Sequence, residues 1–394
     1  MNKAATQEII IGSNRLLSLL FSVGLICMWL IGYRTPSQSG LFLGDAIGLV
    51  LLPIAAILIW YTQGFDSLLP KKIPKTVLIT LFALIAYWST LPHFNARAFL
   101  KDSMQFSFYI YFCWLAVRFT DERTVLRNAL LLVSALITIE LLVQFMFHLN
   151  IYTDIAKHTK WLWLSGGNVV SINKSLTVAT ALFQNRNQLA MFGAAIFAYF
   201  IFDKKWLLAT LAVGTVVLSG SRTGMGMSAL IMVAFLIYGS IYNRKLLLPF
   251  IAVLITACIA LFTFGDFIVE KFIRLLDWRQ DNSTNQRILI YKQAFAAWKE
   301  FRLTGSGLGQ LKPSSGLDNL ENSWARYFYE FGLIGLLFLY KVIASIRRRA
   351  PQAPQTAALI ALVLMALTQP FLWQSQIAIL FSYLVMKTYI SKKK

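Results

Sequence analysis

Charge is scarce in this chain of 394 residues. Only 14% are charged against 57% hydrophobic, and the mean hydropathy is +0.62. A soluble globular domain carries about a quarter charged residues, so the composition excludes a soluble enzyme and a disordered chain alike. Acidic residues are scarcer than basic ones, 17 Asp and Glu against 37 Lys and Arg, which leaves a net charge of +20. In a soluble domain such an excess points to nucleic acid. Here the cations stand in short clusters between long apolar runs, the pattern of loops that orient a multi-span membrane protein, and no nucleic-acid partner is expected. Cysteine is nearly lacking. Cys27, Cys113 and Cys258 all lie inside apolar runs, which excludes a disulfide framework and any metal-ligand spacing. Histidine is as rare: His93, His148 and His158 have no second His at metal spacing and no Ser nucleophile motif nearby, which excludes a conventional hydrolase. No period of about 20–50 residues recurs, so a repeat architecture is excluded too. No small-residue cleavage site follows the first apolar run, from Leu16, so it reads as a retained span.

What is present is a succession of apolar runs near the length that crosses a bilayer, about 20 residues. They lie at 16–32, 41–61, 76–91, 103–118, 129–149, 188–202, 206–221, 225–242, 246–264, 324–343, 356–372 and 376–390. The expected fold is therefore an all-α polytopic membrane protein of about 12 spans, forming one integral membrane domain over 1–394. With both termini in the cytoplasm, the inner segments hold 20 Lys and Arg, among them Lys71, Lys72, Lys75, Arg118, Arg123, Arg127, Arg347, Arg348 and Arg349. The four short outer loops hold only Arg34, Arg97, Lys101 and Arg222. This asymmetry sets the orientation. Two outer segments are long, 150–187 and 265–323, and the second forms a large loop between spans nine and ten. Residues 266–279 and 284–301 read there as amphipathic helices lying on the outer membrane surface. Gly305 to Gly309 reads as a flexible connection, and Pro313 to Gly316 as a turn.

Ionisable groups at membrane depth are costly and mark function. Ser219-Gly220-Ser221-Arg222-Thr223-Gly224 stands between spans seven and eight. Its glycines admit close backbone approach, its hydroxyls donate, and Arg222 offers a planar fork that matches phosphate oxygens. Ser221 or Thr223 can cap span eight and aim a helix N-terminus at an anion, although the same residues also suit a tight helix–helix turn. Gln184-Asn185-Arg186-Asn187-Gln188 interrupts an apolar stretch from Leu176 to Phe202, as a ligand site with Arg186 and Asn187 or simply as the start of span six. Arg287 shares a stripe with Tyr291 on the second surface helix. At the membrane re-entry, Asn322 or Ser323 suits an N-cap, with Glu321 beside it. Arg326 and Glu330 are spaced as an intrahelical pair. Glu140 is a mid-span carboxyl expected to be hydrogen-bonded within the bundle. The first outer loop, Tyr33 to Gly44, has no paired carboxylates, which argues against metal-dependent membrane glycosyltransferases.

Order and side of these motifs carry a resemblance. Ser-Gly-Ser-Arg-Thr-Gly at the outer end of span seven precedes the large outer loop. Arg287-x3-Tyr291, Ala296-Ala297-Trp298, Gly305-x-Gly307-x-Gly309, Glu321-Asn322-Ser323-Trp324 and Glu330-x-Gly332-x2-Gly335 follow. Together, over residues 180–345, the chain resembles the O-antigen ligase and O-antigen polymerase superfamily. The resemblance implies a metal-independent glycosyltransferase of the bacterial inner membrane, working at its periplasmic face without a cofactor. It implies an undecaprenyl-diphosphate-linked glycan as donor. The acceptor is then a second lipid-linked repeat or lipid A–core, and membrane lipid and a chain-length regulator are further partners. Arg222 and Arg287 match the arginines that hold the diphosphate, and Glu321 stands where the ligases carry a catalytic His. That departure favours the polymerase branch. Glu321 would take the acceptor proton, with Asn322, Arg326, Tyr291, Ser221, Arg186 and Asn187 binding substrate. A flippase of lipid-linked oligosaccharide is the reading from another class, but its charges would run through the depth of several spans, and here they gather at one face.

Overall fold

The computed structural model describes residues 3–31, 43–69, 75–91, 94–147, 183, 186–242, 288–289, 292, 295–296, 299, 303–308, 323–349, 354–366 and 375–390. Among these residues the chain forms eleven α-helices and no strand. They are α1 (Lys3–Leu30), α2 (Leu43–Gln63), α3 (Lys75–Ser89), α4 (Ala96–Phe119), α5 (Glu122–Phe147), α6 (Arg186–Phe202), α7 (Trp206–Leu218), α8 (Arg222–Tyr242), α9 (Ser323–Arg349), α10 (Pro354–Met365) and α11 (Ser375–Ile390). Each coincides with a predicted span; the remaining one, 246–264, lies outside the described residues. Ile11–Leu30, Gly44–Gln63 and Glu122–Leu142 are long and apolar enough to cross a membrane, and five further helices are apolar but shorter. The protein is an all-α membrane protein. Helices α4 and α9 are long as well, and each carries charge in its N-terminal half, Arg97, Lys101 and Asp102 on α4 and Arg326 and Glu330 on α9.

The core follows from hydropathy. A helix that is apolar all round can face protein or lipid on every side, and α6 faces protein: Leu189 to Ile201 are almost entirely buried, between α7, α8 and α10. Around it, α1 packs on α2, α4 and α11, with Phe21, Leu25, Phe112 and Cys113 in the contact. The turn from α6 into α7 takes three residues. Lys205 N–H donates to Phe200 O at 2.9 Å and Lys204 N–H to Ile201 O at 3.2 Å, with Lys204 left-handed at φ 59. This closes the last turn of α6. Phe202 and Trp206 both lie edge-on to Phe235 of α8, and Asn187 at the start of α6 meets Ser221 just before α8, so α6 and α8 run parallel and in contact, with α7 the return connection.

Polar groups tie the helices at this end. Tyr199 donates to Glu122 Oε1 at 2.9 Å, and Gln355 donates to the same oxygen. Arg123 pairs with Asp203, and Lys387 Nζ donates to Thr120 O at 2.8 Å. The C-terminal ends of α4, α6 and α11 and the N-terminal ends of α5 and α10 therefore lie together. Asp121 caps α5: Thr124 N–H and hydroxyl donate to its Oδ2 at 3.0 and 2.6 Å. Burial alone would raise the Asp121 carboxyl, but the Thr124 bonds and the charges of Lys387 and Arg123 outweigh it and hold it below the ordinary carboxylate range.

Two expectations are corrected at the opposite end. Span ten is not one continuous helix, because Gly332 breaks α9 with φ 60 and ψ −154, a backbone region that is essentially glycine-only. Nor is the glycine-rich stretch a flexible connection over its described part, 303–308. Gly305, Ser306, Gly307 and Leu308 are buried against the break. Ser306 N–H donates to Tyr329 O at 2.9 Å and Gly307 N–H to Glu330 O at 3.0 Å, while Leu303 O accepts from Ile334 N–H at 3.1 Å. Glu330 O and Ile334 N would have bonded each other in an unbroken helix. Each finds its replacement on this strap, which is what a broken helix requires at membrane depth. A Cβ at Gly305 would stand 2.3 Å from Glu330 O, and one at Gly332 2.5 Å from Gly305 N. The two glycines are there because two backbones touch.

Candidate functional site

The local sequence between α7 and α8 builds one half of the site. Ser219 ends α7, its hydroxyl donating to Val216 O at 2.6 Å. Gly220, at φ 63, reverses the chain. Ser219 Oγ then accepts from Ser221 N–H at 3.2 Å, and Ser221 Oγ accepts from Gly224 N–H at 3.4 Å. Ser221 is thus the N-cap of α8, one of the two residues expected in that role. Its hydroxyl also donates to Asn187 Oδ1 at 3.0 Å, across 34 positions of sequence. That bond joins the starts of two parallel helices, α6 and α8. Close packing permits it: a Cβ on Gly224 would lie 2.5 Å from Ala190 Cβ, and one on Gly193 2.5 Å from Thr215 Oγ1. Arg186 opens α6 and Arg222 opens α8. Two helix N-termini side by side concentrate unbonded N–H groups and positive dipole at one spot, each with an arginine at its first position. Such a place suits a multiply charged anion.

The second half is built where α4 meets α9. Arg326 Nε donates to Glu330 Oε1 at 3.1 Å, with the Glu330 side chain fully buried. The pairing is the predicted intrahelical one. Arg326 also acts on Asp102 of α4 across the helix interface. Asp102 is near the start of α4, whose other end adjoins the end of α6, so this cluster and the α6–α8 N-termini occupy the same end of the bundle.

Sequence reading overlooked part of this end. Tyr109 donates to Asp45 Oδ2 at 2.7 Å, and Gln105 donates to the same oxygen at 3.5 Å. Asp45 is 1% exposed, and its Oδ1 is buried without a hydrogen-bond partner. A scan for acidic residues that stops at Gly44 misses it by one position. The available signal was on α4, where Asp102, Gln105 and Tyr109 recur at i, i+3 and i+7 and draw a polar stripe down an otherwise apolar helix.

Of the nine predicted site residues, Ser221 and Asn187 are in contact, and Arg186 and Arg222 stand at the adjoining helix starts. Arg326 is with Glu330. Arg287, Tyr291, Glu321 and Asn322 lie outside the described residues, although α9 begins at Ser323, beside the expected cap. Glu140 is buried within the bundle. Among the described residues no group of three or more His, Cys, Asp and Glu is placed to hold a metal ion.

Residues 207–340 match the family model described as O-antigen ligase. The match runs from the second residue of α7 through α8 and the strap to the middle of α9, about a third of the chain. It agrees with the ligase and polymerase superfamily and does not separate the two branches. Comparison with curated proteins finds no match to the chain.

Proposed function

We propose, on the premise that residues 207–340 form an O-antigen ligase family domain, that the chain is a glycosyltransferase of bacterial surface-glycan assembly. Its donor is a glycan on polyprenyl diphosphate, its reaction the joining of such repeats into polymer, and its site the periplasmic face of the inner membrane, with both termini cytoplasmic. The observation that carries the reading is the Ser221–Asn187 bond, which sets two helix N-termini together, each opening on an arginine. In the reaction the acceptor hydroxyl attacks the anomeric carbon and the bond to the diphosphate breaks. The leaving diphosphate takes up charge. Arg222 and Arg287, helped by Arg186 and the two helix ends, stabilise that charge at a low-dielectric boundary. Glu321 accepts the proton of the attacking hydroxyl, and Asn322, Tyr291 and Arg326 hold the sugars. A chain-length regulator is a further partner.

The ligase reading, with lipid A–core as acceptor, is favoured by the description of the matching family. The polymerase reading is favoured by Glu321-Asn322 standing where the resembling ligases have His and Asn. The surface polysaccharide of a deletion strain separates them. Loss of long chains with single repeats still on lipid A–core means polymerase; loss of every repeat from lipid A–core means ligase. Arg222→Lys, which keeps charge but loses the planar fork, should fail to restore the polymer at equal expression. Full restoration by Arg222→Lys would remove the arginine from the mechanism.

A further inference from the structure

The strap at 303–308 occupies a telling place in the chain. Upstream of it runs the segment with Arg287, and downstream the segment with Glu321 and Asn322, before α9 begins at Ser323. The strap is bonded to Tyr329, Glu330 and Ile334 of α9. The chain is therefore held against the middle of α9 at 303–307 and opens the same helix at Ser323. Gly332 is nine positions into that helix, about 14 Å at 1.5 Å per residue. A third element fastens the strap. The Trp88 indole N–H at the end of α3 donates to Thr304 O at 3.1 Å, across 216 positions, and its ring packs edge-on against Phe331 and Phe99. Ser306 Oγ adds a bond to Tyr329 O at 3.2 Å.

We infer that this strap is a positioning device for the reaction, and that Trp88 and Ser306 are positioning residues. This rests on the proposed function. A loop tethered only at its two membrane ends samples many placements of Arg287 and Glu321. Pinning it near its middle removes most of that freedom before substrate binds. The break at Gly332 serves the same end, since it frees Tyr329 O and Glu330 O to accept from the loop while keeping Arg326 and Glu330 within two turns of the start of α9. These bonds fasten the strap to α3 and α9, so its loss should spare donor binding and reduce turnover.

Cysteine accessibility tests the strap without any assay of activity. In a chain with Cys27, Cys113 and Cys258 replaced, Ser306→Cys places a thiol at a fully buried position and Leu303→Cys one at a position 65% exposed. Labelling by an impermeant maleimide on spheroplasts should be at least about ten-fold slower at 306 than at 303, because reaction follows exposure of the thiol. Gly332→Ala should raise the 306 rate to that of 303. Trp88→Phe, which keeps the ring and deletes the N–H, should raise it a few-fold. In chains with Ser306 intact, Gly332→Ala should cut glycan transfer at least about ten-fold, as small misplacements do. Binding of undecaprenyl diphosphate to the purified protein should stay nearly unchanged. Equal labelling at 306 and 303 overturns the strap. A variant that exposes 306 yet transfers glycan normally overturns its positioning role, as does a parallel loss of binding and turnover. If Gly332→Ala fails to insert, Trp88→Phe carries the same comparison. If the unaltered chain transfers no glycan, the proposed function fails and labelling alone decides the strap.

Discussion

Ser221 shows how much one hydroxyl does here. It caps α8 and donates to Asn187, so the same atom terminates a helix and ties it to another. Gly332 does the converse, giving up helical bonds that the neighbouring strap replaces. Glu321 is the residue on which the chemistry turns. If it deprotonates the acceptor, Glu321→Gln should lower turnover about 10²–10⁴-fold, the usual contribution of a general base, with polyprenyl-diphosphate binding retained. In-vitro polymerisation by the purified variants measures this. A Gln variant as active as the parent would mean that the residue orients the hydroxyl by hydrogen bonding alone. Glu321→Asp should be intermediate, because the charge is kept and drawn back by one methylene.

At the scale of elements, helix ends carry most of the polar structure. The three-residue turn 203–205 and the caps at Asp121 and Ser221 satisfy backbone groups locally, and a side-chain bond from Ser221 to Asn187 joins the starts of α6 and α8. The Asp121 cap has a testable pH dependence. Its folded carboxyl is held below the ordinary range, so its contribution is full above the ordinary pKa of about 3.9. It is lost as pH falls through the lowered folded value. Asp121→Ala should cost about 1 kcal/mol at pH 7, as loss of a cap does. The gap between parent and variant should close once the pH is taken below that lowered folded value. Asp121→Asn keeps an acceptor oxygen and should show a smaller pH-dependent change. Thermal unfolding in detergent across pH measures both; a gap that persists in acid would show that the charge is irrelevant to the cap.

For the whole molecule, charge is distributed by side. Arg118, Arg123, Lys204, Lys205 and Lys387 lie at the end of the bundle where α4, α6 and α11 finish, and the candidate site lies at the other. Cysteines introduced at Ser314 and at Lys392 should accordingly differ in labelling by an impermeant reagent on spheroplasts, the first reacting and the second protected. Equal labelling would overturn the topology, and the opposite pattern would move the site to the wrong face for a lipid-linked glycan donor. Two long helices, α4 and α9, depart from apolar composition; Trp88 packs against Phe99 of one and Phe331 of the other, and the charge of Arg326 bears on Asp102. That departure is the sign of function the bilayer imposes, since charge at membrane depth persists only where it has partners.

Much of this was legible without a structure. Hydropathy is a local property, and a bilayer admits helices whose every backbone group is satisfied within the segment, so the apolar helices and their positions could be read from runs of residues alone. The capping role of Ser221 and the Arg326–Glu330 pair were legible for the same reason, because both lie within one turn. Partners across the bundle were not. The neighbours of Asn187, Asp45 and Trp88 lie 34, 64 and 216 positions away, and which stretch a polar group meets is decided by how whole helices pack. Gly305 and Gly307 mark the limit most clearly. Glycine in sequence signals freedom, because its backbone reaches conformations closed to other residues. In the folded protein the same permissiveness allows two backbones to lie in contact, and the hydrogen bonds made there turn a stretch that reads as flexible into one held in place.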